Sequence, residues 1–129
     1  MVKITPKPKA YGPVHIHLDG AGALSYGEAD AAPTGSPVEI LLAALGACIA
    51  RSIEIAATGA RQKIGPVDVT VNGRKAADLP NRVEHYEIRV DPGFADDPAV
   101  ARDLLAKAKA ACTVSNSLNG AFDVRLSGD

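Results

Sequence analysis

Apolar and polar residues alternate strictly along Val14-His15-Ile16-His17-Leu18, the period of a strand with one buried face. Asp19-Gly20 is a hairpin signal, and Ala23 to Tyr26 supplies the returning strand. Glycines and alanines from Gly27 to Gly35 break the alternation and predict a loop. The pattern then changes character. From Ser36 to Ala50 runs the longest apolar stretch of the chain, and between Val38 and Ile49 apolar residues occupy every helical face, the pattern of a helix covered on all sides by protein. Ser36 suits the N-cap, Pro37 the first helical position, and Glu39 completes a capping box. The helix is expected to run to about Ala57. Ile40 to Ala50 is free of charge before Arg51, whereas a bilayer span needs roughly 20 residues, so a buried helix is expected and no membrane partner.

A stop signal follows at Thr58-Gly59-Ala60-Arg61. Pro66 to Val71 alternates as a strand, Asn72-Gly73 reads as a turn or bulge, Ala76 to Asn81 as a connecting loop, and Arg82 to Val90 as another strand. Asp97-Pro98 opens a second helix, on which Val100, Leu104, Leu105 and Ala108 share one face while Arg102, Lys107 and Lys109 take the other. This helix is a cover, ending near Ala111. Cys112 to Leu118 reads as a short helical turn, and Ala121 to Leu126 as a last strand after Asn119-Gly120. The order β-β-α-β-β-α-β predicts one α+β domain over residues 1–129 with an antiparallel sheet.

Composition narrows the function classes. The chain has 129 residues, enough for one core, and its 14 basic against 15 acidic residues give a net charge of −1. That balance argues against nucleic acid or an anionic membrane recognised through bulk charge. The lysine-bearing N-terminus, Met1 to Pro8, leads into no apolar segment, so no secretory signal and a cytoplasmic location are expected. With no Trp, two Phe and three Tyr, the core is filled by Ala, Val, Ile and Leu, and further burial at a subunit interface is expected.

His15 and His17 point to the same side of their strand, the geometry of two metal ligands, but no third ligand lies at a recognisable spacing. A solvent-facing strand edge accounts for both, and no metal or other cofactor is expected. The two cysteines, Cys48 and Cys112, are far apart in a chain with no export signal, so a redox pair and two unrelated core residues are both open. Cys112 stands where a helix begins, and the unpaired N–H groups there favour a thiolate.

The run Ser36-Pro37-Val38-Glu39-Ile40-Leu41-Leu42-Ala43-Ala44-Leu45-Gly46-Ala47-Cys48, followed by Cys112-Thr113-Val114-Ser115-Asn116-Ser117-Leu118, resembles the two-cysteine pattern of the OsmC/Ohr family of osmotically induced and organic-hydroperoxide-resistance proteins. The resemblance covers nearly the whole chain. It implies an intertwined homodimer with packed central helices and active sites at the subunit interface. It also implies a cofactor-free thiol peroxidase in which Cys48 is oxidised by a hydroperoxide to sulfenic acid and Cys112 resolves it as a disulfide, with a dithiol or lipoyl reductant closing the cycle.

Three positions depart from the family pattern. An activating arginine is expected in the N-terminal β region, but no arginine precedes Arg51; Arg51, or Arg82 from elsewhere in the dimer, must then serve. Val38 stands at the expected glutamate, with Glu39 one step later as the candidate orienting residue. Thr113 replaces the proline expected after the second cysteine. The loss of the N-terminal arginine defines a second reading, a non-catalytic binding protein for a small acyl or aromatic ligand.

Overall fold

The computed structural model describes residues 9–27 and 36–129. Its elements are β1 (Ala10–Leu18), β2 (Leu24–Tyr26), α1 (Pro37–Gly59), β3 (Val67–Lys75), β4 (Val83–Val90), a 3-10 turn at Pro92–Phe94, α2 (Pro98–Ala111), α3 (Thr113–Ser117) and β5 (Ala121–Leu126). Only Gly27 of the expected loop from Gly27 to Gly35 falls within the described residues; 28–35 lie outside them.

The strands form a single sheet in the order β2-β1-β3-β4-β5. The expected antiparallel pattern holds for the first four strands. It fails at β5, which runs parallel to β4 with Tyr86 opposite Phe122 and Ile88 opposite Val124, so the sheet is mixed. The cause is the connection: the chain leaves β4 through the 3-10 turn, α2 and α3 before re-entering the sheet, and such a helical crossover delivers a strand in the same direction.

Alternation decides which face is covered. Val14, Ile16 and Leu18 of β1, Val67, Val69 and Val71 of β3, and Tyr86, Ile88 and Val90 of β4 are all buried under the helices. The other face is polar, with cross-strand pairs such as His15 opposite Thr70 and His17 opposite Asp68. Asn72-Gly73 is neither a turn nor the bulge itself but lies within β3, Gly73 pairing with both Tyr11 and Tyr86. The irregularity falls on the neighbouring strand, between Tyr11 and Val14. There Gly12 has φ 93, and a Cβ on it would approach the Val71 carbonyl oxygen to 2.7 Å, so the close strand contact requires glycine.

Helix α1 lies across β1 and β3 with Leu42, Leu45, Ile49 and Ile53 fully enclosed. Gly46 sets the approach: a Cβ there would overlap Ile16 Cδ1 and come within 2.9 Å of Val71 Cγ2. The Ser36 hydroxyl accepts from the Glu39 N–H at 3.4 Å, as the capping box predicts. By length and apolarity α1 would pass for a membrane span, but half of that apolar stretch is buried inside the fold. The expected coverage on all sides is corrected to coverage on one side within a single chain: Ile40 and Ile55 are 52% and 69% exposed and Ala44 is open.

Candidate active site

Cys48 lies halfway along α1, one position before the enclosed Ile49, so it sits on the flank of the buried stripe, half-buried beneath α2 and α3. Cys112 is the single non-helical residue between α2 and α3, with φ −66 and ψ 106. That break turns its side chain inward, and it is fully buried. As N-cap of α3 its sulfur accepts from the Ser115 N–H at 3.5 Å, while the Ser115 hydroxyl donates to the Cys112 carbonyl at 3.1 Å. Both cysteines are free, and the Cys48 thiol is near enough to act on that of Cys112.

The sequence expectation of a thiolate at Cys112 is reversed. Burial is the largest influence and pushes its thiol above the ordinary value; the Ser115 hydrogen bonds pull it down, and the neighbouring Cys48 pushes it up again. A helix of five residues has too few aligned peptides to offset desolvation. Cys112 is therefore a neutral thiol at physiological pH.

Cys48 opens onto a cavity of ≈ 490 Å³ between α1 and the α2–α3 junction, and Cys112 does not line it. The walls are mainly apolar, from Ile55, Ala56, Gly59, Ala60 and Ala111, with Ser52 beside the cysteine and Thr113 near the junction. Two cations complete the lining. Arg51 is held by Glu54 at 3.0 Å, and Lys107 by Asp103 at 2.9 Å.

The other sequence candidates are not gathered here. Glu39 occupies the first turn of α1, nine residues from Cys48 and hence about 13 Å along the axis. Arg82 is engaged with Asp78 at 3.0 Å and with the Pro80 carbonyl at 3.0 Å, and it lines a separate small cleft with Tyr11 and Val38. His17 bonds Asp68 at 2.6 Å and His15 bonds Thr70 at 3.2 Å on the open sheet face. Among the described residues no three His, Cys, Asp or Glu side chains cluster as metal ligands. Sequence reasoning missed Ser52 and the cavity role of Lys107. Ser52 stands one turn after Cys48 on the same helix, a spacing that could have marked it.

Residues 28–127 match the family model described as OsmC-like protein. No curated protein matches the sequence. Among solved structures, the organic hydroperoxide resistance protein OsmC of Legionella pneumophila superposes with TM-score 0.61 at 20% identity, over 96% of this chain and 97% of that one. The organic hydroperoxide resistance protein OhrB of Bacillus subtilis gives TM-score 0.59 at 20% identity, over 93% and 96%. An OsmC-like hydroperoxide resistance protein from Jannaschia sp. gives TM-score 0.57 at 14% identity, over 81% and 83%. At such identities the likeness is one of fold.

Proposed function

The chain belongs to the OsmC-like family, and from that premise we propose that it is a cysteine-based peroxidase that reduces organic hydroperoxides. One observation carries this reading: a half-buried Cys48 lines an apolar cavity while a fully buried Cys112, interacting with it, stands behind. That arrangement supports different tasks for the two thiols. Cys48, reachable from the cavity, attacks the terminal peroxide oxygen as thiolate; the S–O bond forms as the O–O bond breaks, leaving a sulfenic acid and an alcohol. Cys112, neutral and shielded, reacts next. Its sulfur displaces the sulfenic oxygen as water, and a Cys48–Cys112 disulfide results. An external dithiol, lipoyl in kind, returns both thiols, and no cofactor enters the cycle.

Arg51 is the cation of α1 that lines the same cavity, and a guanidinium favours a thiolate through charge. The Ile55, Ala56 and Ala111 walls suit an alkyl or aryl group better than hydrogen peroxide. The exposed Ile40, Ala44 and Ile55 lie along one side of α1, and a homodimer packed on that side would bury them. Glu39 and Arg82 both lie toward the N-terminal end of α1, so either would reach Cys48 only from a second copy. A ligand-binding protein without turnover is the alternative, favoured by the commitment of Arg51 to Glu54.

Stopped-flow oxidation of the reduced protein by cumene hydroperoxide and by hydrogen peroxide decides between them. Peroxidase activity predicts rapid loss of two thiols in the wild type, a trappable sulfenic acid in Cys112→Ser, and no fast phase in Cys48→Ser. Oxidation no faster than that of free cysteine would leave the binding protein.

A further inference from the structure

Ser52 is the buried polar residue of the described chain, 8% exposed, on a helix whose other enclosed positions are apolar or glycine. A serine inside a helix ordinarily donates its hydroxyl to the carbonyl one turn back. Thr58, on the same helix, does this, donating to the Glu54 carbonyl at 3.0 Å. Among the described residues the Ser52 hydroxyl has no such partner, although no fully enclosed side-chain oxygen or nitrogen among them is left unpaired. The hydroxyl therefore retains access to the cavity that Ser52 lines together with Cys48. Alanine, abundant on this helix, would fill the same position without presenting a polar group, whereas serine offers a hydrogen-bond donor to the cavity. The hydroxyl is thus available to a molecule that enters the cavity.

Residues 48 and 52 lie one turn apart and stack on the same side of a helix, about 6 Å between their Cβ atoms. A hydroperoxide whose terminal oxygen meets the Cys48 sulfur has its second oxygen within the span to Ser52. We propose, building on the peroxidase reading above, that Ser52 is a further catalytic residue, donating a hydrogen bond from its hydroxyl to the oxygen that leaves when Cys48 breaks the peroxide bond. As the S–O bond forms, the electron pair of the O–O bond departs on the alkoxide oxygen. Sulfur is oxidised to sulfenic acid and the peroxide is reduced. The Ser52 O–H stabilises that developing charge, and water delivers the proton that makes the alcohol. A donor aimed at charge present only in the transition state accelerates the step without tightening substrate binding.

The test compares reduced wild type, Ser52→Ala and Ser52→Thr in three reactions of Cys48: with tert-butyl hydroperoxide, with peracetic acid, and with iodoacetamide. tert-Butoxide is a strongly basic leaving group, acetate a weakly basic one, and iodide needs no donor. Ser52→Ala is expected to lose on the order of tenfold or more in rate with tert-butyl hydroperoxide, much less with peracetic acid, and nothing with iodoacetamide. Ser52→Thr, which keeps the hydroxyl, is expected to restore the first rate. A fast wild type matched by Ser52→Ala, or an equal slowing in all three reactions, overturns the role of Ser52 alone. A wild type no faster than free cysteine overturns the peroxidase reading and this proposal with it.

Discussion

At the scale of single residues, Cys112 shows how far local sequence can mislead about ionisation. Its place at a helix start is legible in Cys112-Thr113-Val114-Ser115, and the structure bears out the short helix, adding that the Cys112 sulfur caps it by accepting from the Ser115 N–H. The depth at which that start is buried is set by α1, many residues away, and no local pattern reports it. Because burial raises this thiol above its ordinary value, the folded chain keeps the proton where an unfolded thiol, with pKa near 8.5, has lost it. The stabilisation is thus complete below the unfolded value and disappears as pH rises through the folded one. Tyr86, also raised by burial, acts with the same sign at higher pH. Melting curves of the reduced protein from pH 7 to 10 should fall on the alkaline side, and more gently in Cys112→Ala. Parallel slopes in the two proteins would show that the thiol is not desolvated. Ser52 is the converse case. A lone serine in an alanine-rich helix carries no motif beyond its one-turn spacing from Cys48, and its burial at the cavity that Cys48 lines gives that spacing meaning.

At the scale of elements, period two was enough to find the strands and period 3.6 to find α2, because each has one face that must be buried, while α1 was legible from its unbroken apolar run and its cap. Strand direction is another matter: nothing within Ala121 to Leu126 says whether it runs with or against β4, since the intervening helices determine it. The spacing between helix and sheet was equally hidden, and it rests on Gly46. Replacing Gly46 with alanine should gain up to about 1 kcal/mol of helix propensity. It should lose about 1–3 kcal/mol to overpacking against Ile16 and Val71, both of which are buried and have little room to withdraw. The net expectation is a destabilisation of on the order of 1 kcal/mol, read as a lower denaturant midpoint at unchanged m-value. A raised midpoint would mean that α1 can lift from the sheet without loss.

For the whole molecule, the apolar residues on every helical face between Val38 and Ile49 predicted a helix enclosed on every side, and one chain encloses it on one side only. The discrepancy is informative because sequence patterning records burial in the working assembly, whereas the fold of one chain records only part of it. Ile40, Ala44 and Ile55 are exposed along the outer side of α1, where the partly exposed Arg51 also stands, and apolar residues grouped in this way mark an interface. If two copies pack there, charge added on that side should separate them while leaving each fold intact, since neither isoleucine belongs to the enclosed core. Ile40→Lys is the informative choice. Ile55 lines the Cys48 cavity, but Ile40 does not, so any change at Cys48 in Ile40→Lys must come through the partner. Analytical ultracentrifugation is expected to give twice the chain mass for the wild type and the single mass for Ile40→Lys. Far-UV circular dichroism should be unchanged. A fall in the rate of Cys48 oxidation that tracks dissociation would mean that a second copy completes the site, as a role for Glu39 or Arg82 of the partner subunit requires. An unchanged rate in the monomer would place all the required groups within one chain and leave Arg51 as the only candidate cation on α1.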